Sequence, residues 1–136
     1  MIKEKLNRYV EILNKIPDDK DKYAWLMLLG KKSMDLVKDL KLDKFKVSGC
    51  QTQTWLIPGW DKRETIHFSA DSDALISKGM VCMLADIFSE STPKEILAFE
   101  RKDLDDLRLD VLLTPGRRNG VHSMLQKIRE YALQSD

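Results

Sequence analysis

The apolar positions of this chain follow two periods, and the change between them divides the sequence. Ile2, Leu6, Tyr9, Val10, Leu13 and Ile16 recur at helical spacing, and Pro17 ends that run. Asp18-Asp19 supplies a cap for a second helix whose apolar side holds Tyr23, Trp25, Leu28 and Leu29, with Gly30 as its expected stop. From residue 31 to 46 the chain is rich in lysine and aspartate. Its Met34, Leu36, Val37 and Leu40 suit either an extension of the helix past Gly30 or a new short one. The period then drops to two. Residues 52–58 and 64–70 are strand candidates, and in the second Ile66, Phe68 and Ala70 alternate with Thr65, His67 and Ser69. Pro58 to Arg63 reads as the turn between them, and Phe45-Lys46-Val47 as a short third strand. Trp55 and Trp60 are expected to pack this sheet. A hairpin is marginal alone, so helices must cover its apolar face.

Helical spacing then returns. Asp71-Ser72-Asp73 reads as the cap of a strongly apolar helix from about Ala74 to Phe88, apolar nearly all round in its second half and therefore central. Thr92-Pro93-Lys94-Glu95 combines a capping threonine, a first-turn proline and a glutamate able to reach back. Leu104 to Leu113 suggests short helical or irregular connections, and Thr114-Pro115-Gly116 a break. A last helix is expected from about Asn119 to Leu133, with Val121, Leu125, Ile128 and Ala132 on one face. The expected fold is α+β: a small antiparallel sheet of two or three strands packed against several helices. With no internal repeat or composition shift, residues 1–136 are expected to form a single domain.

Composition narrows the function classes. Apolar residues make up 43% of the 136, enough for a buried core. A net charge of +1 predicts no general attraction to nucleic acid or anionic membrane. No apolar run reaches the ~18 residues that suggest a membrane span, and the N-terminus reads as an amphipathic helix rather than a secretory signal. Two cysteines in unlike settings do not make a disulfide framework, so a reducing, cytoplasmic setting is expected. The basic residues before Cys50 (Lys31, Lys32, Lys38, Lys41, Lys44 and Lys46) interleave with Asp35, Asp39 and Asp43 and read as a solvated surface.

The candidate chemistry sits at Cys50. Gly49 before it permits a sharp turn, and Thr52, Thr54, Trp55 and Ile57 after it favour an extended chain. The thiol is therefore expected at a loop-to-strand junction, where reactive groups are displayed on a rigid scaffold. Cys82, inside Met80-Val81-Cys82-Met83-Leu84-Ala85, reads instead as a packing residue of a buried helix. A thiol nucleophile works as thiolate, against a free pKa of about 8.5. A Cys–His thiol hydrolase would need His67 or His122 beside Cys50 as base, and nothing in the sequence indicates that. A binding module with an incidental cysteine is the other alternative. The cysteines are too few and too widely spaced for a metal site.

The run Val47-Ser48-Gly49-Cys50-Gln51-Thr52-Gln53-Thr54-Trp55 resembles the V-x-G-C-Q-S-x-x-W signature of the SufE family of sulfur acceptors. Three further blocks agree in order. Trp25 to Lys31 is similar to that family's helix ending in Leu-Gly-Lys; Ala70 to Gly79 resembles its A-D-S-D-A-x-I-x-x-G; Leu113 to Gly120 resembles its L-T-P-S-R-x-x-G. The likeness spans nearly the whole chain. It departs at Thr52, usually serine; at Gly116, also usually serine; and at residues 33–46, where the family's linker proline is missing.

The resemblance implies a SufE/IscU-like fold and a sulfur-carrying function. A SufS-type cysteine desulfurase, whose pyridoxal phosphate stays with it, would hand persulfide sulfur to Cys50 and be stimulated in doing so. A SufBCD-type scaffold would receive the sulfur for iron–sulfur cluster assembly. No cofactor is expected on this chain, and neither nucleic acid nor membrane as a partner. The resemblance leaves open a CsdA-type desulfurase as donor. An IscU-type scaffold uses three cysteines on a cluster, whereas this chain has one suited to that. It further implies supporting roles for Gly49, Gln51, Asp73 and Arg117: shaping the loop, meeting the partner, or favouring an anionic sulfur. Free Cys50 is expected to be shielded, on a loop that a partner draws outward.

Overall fold

In the computed structural model, which describes residues 1–61 and 64–134, the first helix α1 (Ile2–Asn14) turns Ile2, Leu6 and Leu13 into the core. Asp18 caps α2 (Asp19–Lys32) as expected, its carboxylate accepting from the Lys20 amide at 2.7 Å. The helix does not stop at Gly30. Gly30 is buried within it, against Gly79 of α3 (Leu75–Phe88). A Cβ on Gly30 would stand 2.8 Å from the Gly79 nitrogen, and one on Gly79 would stand 2.8 Å from the Leu26 carbonyl carbon. Gly30 thus serves close helix crossing rather than termination. The helix ends at Ser33, which is extended and whose amide bonds the Leu29 carbonyl.

Residues 34–46 neither extend α2 nor form a full helix. They make an extended strap with two single 3-10 turns, Lys38–Leu40 and Asp43–Phe45. Groups far along the chain hold it. The buried Asp71 carboxylate accepts from the Leu36 amide at 2.9 Å and from the Ser72 amide at 2.8 Å. Lys41 lies 3.4 Å and Lys78 3.8 Å from it. Lys78, also buried, donates to the Ser33 carbonyl at 3.0 Å and pairs with Asp35. Burial alone would lower the Lys78 pKa. The Asp35 and Asp71 carboxylates outweigh it and hold the ammonium above its ordinary value. Removing one member of a buried ion group strands the other. Lys78→Met is therefore expected to cost about 3 kcal/mol in urea unfolding. A loss too small to measure would show that Lys41, 3.4 Å away, is counter-charge enough for Asp71.

The sheet has two strands, β1 (Thr54–Trp60) and β2 (Ile66–Ser72), paired antiparallel from Thr54↔Ser72 to Trp60↔Ile66. Each begins two residues later than the alternation suggests. Pro58, Gly59 and Trp60, read as turn residues, belong to β1. Pro58 is tolerated opposite Phe68 because that pair points its amides away from the ladder; the Phe68 amide goes to Ser89 Oγ at 3.0 Å. Of the expected turn's described residues Asp61 alone stays in the turn, accepting from the Thr65 amide at 3.1 Å; Lys62 and Arg63, the remainder of the expected turn, lie outside the described residues. The expected third strand reduces to one bridge, Lys46 to Trp55, beside a 2.8 Å bond from the Val47 amide to the Thr54 carbonyl. Trp55 is buried in the sheet, whereas Trp60 is 49% exposed.

Helix α3 is the central element, packed on α2, β2, α6 and α1. Its N-cap is Ala74, without a side-chain cap. The expected caps are occupied otherwise, because β2 runs through Asp71 and Ser72 and Asp71 anchors the strap. In α4 (Pro93–Ala98) the capping box forms as expected, Thr92 with Glu95. A 3-10 segment (Arg101–Leu107) and the short α5 (Leu109–Leu112) supply the expected connections. Helix α6 (Pro115–Gln134) begins before Asn119. Pro115, lacking an N–H, takes the first helical position, and the Arg118 amide bonds the Thr114 carbonyl at 3.0 Å.

Cys82 departs in part from its reading as a packed residue. It is half-buried on α3, its sulfur 3.8 Å from the Ala70 carbonyl. It lines a cleft of about 510 Å³ between the strap, β2 and the C-terminal half of α3.

Candidate functional site

The residues before Cys50 set its position. Val47 is buried beside β1, and Ser48-Gly49 make a turn. Gly49 has φ +87°, and a Cβ there would stand 2.6 Å from Ser123 Oγ of α6. Both the backbone and the space therefore require glycine. The turn lays Cys50 on α6 at Gly120, with the sulfur 3.8 Å from the Gly120 carbonyl oxygen. A Cβ on Gly120 would fill the space to 3.5 Å from that sulfur.

The Cys50 thiol is half-buried. Burial pushes its pKa up, and a hydrogen bond with the Thr54 hydroxyl offsets this only in part. The thiol is thus mostly protonated at neutral pH. Its alkylation rate is expected to rise with pH, with a midpoint above the ~8.5 of a free thiol. A midpoint at or below that value would mean that the loop stands open in solution.

The residues after Cys50 lock the loop onto two helices. The Gln51 side chain covers Gly116 in the first turn of α6, where a Cβ would lie 2.7 Å from Gln51 Cδ. Thr52 Oγ1 donates to Ser77 Oγ of α3 at 3.1 Å. Gln53 Nε2 donates to Asp73 Oδ2 at 3.2 Å, and the Asp73 amide returns a bond to the Gln53 carbonyl at 3.0 Å. Thr54 Oγ1 donates to the Thr52 carbonyl at 3.2 Å.

Gly49, Cys50 and Gln51 therefore form one loop, and Asp73 and Arg117 reach it indirectly. Asp73 does so through Gln53 and does not cap α3. Arg117 lies inside the first turn of α6 rather than before it, and its Nη1 donates to Ser77 Oγ at 2.9 Å. Sequence reasoning missed Ser77, Ser72, Ser123 and the two glycines of α6. For the glycines a signal exists: Gly116 and Gly120 stand four apart, hence on one helix face, and that face receives the loop.

Neither histidine stands as a base beside Cys50. His67 pairs opposite Gly59, five residues along β1 from Thr54 and so roughly 17 Å away at strand rise. His122 follows Gly120 by two residues and points to the other side of α6. Its Nδ1 accepts from Arg101 Nε at 2.9 Å, and burial, with the Arg101 charge, lowers its pKa. Among the described residues no group of three His, Cys, Asp or Glu side chains is arranged to hold a metal ion. Among them no helix is long and apolar enough to cross a membrane.

A family model described as SufE, an Fe-S metabolism associated domain, matches residues 7–132. The chain is 32% identical over 129 residues to SufE-like protein 1, chloroplastic/mitochondrial, of Arabidopsis thaliana. That alignment covers 95% of this chain and 35% of the plant protein, so the chain spans about a third of the relative's length. The solution structure of a hypothetical protein from Thermus thermophilus superposes with a TM-score of 0.75, over 96% of this chain and 95% of that one. At 17% identity, that likeness shows a common fold.

Proposed function

The chain belongs to the SufE family, and from that premise we propose that Cys50 is the sulfur acceptor for a SufS-type cysteine desulfurase. The Cys50 thiolate attacks the outer sulfur of a persulfide held on the donor's cysteine. A new S–S bond forms at Cys50 as the donor's S–S bond breaks. The donor leaves as thiolate, and the proton shed by Cys50 balances it. The sulfur moves without net oxidation, in the geometry of thiol–disulfide exchange. The pyridoxal phosphate that generates the donor persulfide belongs to the desulfurase. A thiolate on a SufBCD-type scaffold repeats the exchange on the outer sulfur of Cys50 and carries it to iron–sulfur assembly. A reducing compartment suits such an acceptor, and the cytoplasm is part of the same proposal.

One observation carries this reading: the half-buried thiol on Gly120, held by a loop between the left-handed Gly49 and β1. A thiol kept protonated and covered resists stray electrophiles. Docking must then favour an open loop, by the difference in the partner's affinity for the two states.

The test is the intact mass of the protein after incubation with a SufS-type desulfurase, pyridoxal phosphate and cysteine. A gain of one sulfur on Cys50, reversed by dithiothreitol, is expected. No gain beside an active desulfurase would overturn the acceptor reading. Cys82→Ala should take up the same sulfur while losing about 1 kcal/mol of stability. Loss of uptake in that variant would give Cys82 a part in the transfer.

A further inference from the structure

Three elements meet at the hydroxyl of Ser77. This residue lies in the first turn of α3 and is buried. Its Oγ accepts from Arg117 Nη1, in the first turn of α6, at 2.9 Å. It also accepts from Thr52 Oγ1, in the Cys50 loop, at 3.1 Å. A hydroxyl oxygen has two lone pairs, so both donors are served at once, and alanine at this position would remove both bonds. On its other side Thr52 Oγ1 lies 3.3 Å from Ser72 Oγ, which donates to the Gln53 carbonyl at 3.0 Å and stands 3.0 Å from Thr54 Oγ1. The chain on the C-terminal side of Cys50 is thereby tied to one buried serine that already holds a guanidinium.

We propose that Ser77 is a positioning residue for Cys50: it couples Thr52 to Arg117 and so holds the loop closed against Gly120. The purpose of this clamp rests on the reading of Cys50 as sulfur acceptor, but the clamp itself belongs to the free chain. Its two bonds are unequal. The bond from Arg117 is charge-assisted and joins two helices; the bond from Thr52 is neutral and joins a helix to a loop. Opening the loop breaks the weaker bond. The stronger one keeps the Ser77 oxygen aimed at the place to which Thr52 returns.

The test is alkylation of Cys50 by iodoacetamide in the free protein, followed residue by residue by mass spectrometry with Cys82 as internal reference. Ser77→Ala and Thr52→Val remove the clamp from its two sides. Each is expected to speed Cys50 labelling about fivefold, the loss of one net hydrogen bond, and to leave Cys82 unchanged. The double variant should react no faster than either single one, because both remove the same contact. Thr52→Ser keeps the hydroxyl and should keep the slow rate. Unchanged Cys50 labelling in both single variants would overturn the clamp. Equal acceleration of Cys50 and Cys82 would also overturn it, since that marks general loosening. The assay contains no desulfurase. Faster alkylation in the variants, with no sulfur gain in the parent protein, would retain the clamp and dismiss the acceptor function.

Discussion

Cys50→Ser is expected to reduce desulfurase-dependent sulfur uptake to background and to remove any stimulation of the desulfurase. Serine oxygen has nearly the size of the thiol but cannot form the S–S bond on which transfer depends. The fold should survive. Cys50 is half-buried, and beside its hydrogen bond with the Thr54 hydroxyl, which a serine oxygen can keep, its sulfur makes a long 3.8 Å contact with the Gly120 carbonyl, so the change should cost about 1 kcal/mol or less. Intact mass, the rate of alanine production by the desulfurase, and a thermal transition followed by circular dichroism separate these effects. A variant that folds and still stimulates turnover would mean that docking alone activates the partner, and the transfer mechanism would fail.

The second large effect concerns stability. Gly79→Ala is expected to lower the unfolding free energy by about 3 kcal/mol, at the upper end for overpacking. At an exposed helical site the same change would stabilise by about 1 kcal/mol, because alanine is the better helix former. Here the sign reverses. The new methyl would stand 2.8 Å from the Leu26 carbonyl carbon, part of a helix backbone that cannot rotate aside. Either α2 and α3 separate or the helix distorts, and both loosen packing around buried Leu26 and Met80. Urea titration gives the answer directly. An unchanged midpoint would show that α2 shifts freely, and that the glycine pair is a convenience rather than a requirement.

The parts of the fold that local chemistry decides were legible in the sequence. Asp18 and the Thr92/Glu95 pair cap the helices they were expected to cap, the repeat in α1 puts its apolar face inward, and the nearly all-apolar α3 takes the centre. What escaped was decided by distant partners. Asp71 looks like a helix cap until the strap is seen to need an acceptor for the Leu36 amide and a counter-charge for Lys41 and Lys78. Gly30 looks like a stop until Gly79, forty-nine residues on, is seen to need its bareness. At the site, the motif around Cys50 marks the reactive atom, but what holds that atom is invisible locally. Ser77 joins Thr52 and Arg117, which lie sixty-five positions apart. Periodicity assigns Ser77 to a helix and says nothing of what meets its hydroxyl.

A sheet of two strands has two outer rims, and an open rim is a template on which another chain can build. Here part of each rim is taken by groups that are not part of any strand. Along β1, the Thr54 carbonyl takes the Val47 amide at 2.8 Å and the Leu56 carbonyl takes the Tyr131 hydroxyl at 2.7 Å, while Pro58 offers no amide at all. Along β2, the Ile66 amide goes to the Ser91 carbonyl at 2.9 Å, its carbonyl takes the Glu90 amide at 2.7 Å, and the Phe68 amide goes to Ser89. Non-strand capping of this kind guards against edge-to-edge aggregation, the usual hazard of a short ribbon. It follows that concentrated solutions should stay clear for as long as α6 and the 89–91 corner stay docked. Precipitation on heating should begin with their release rather than with the melting of α1.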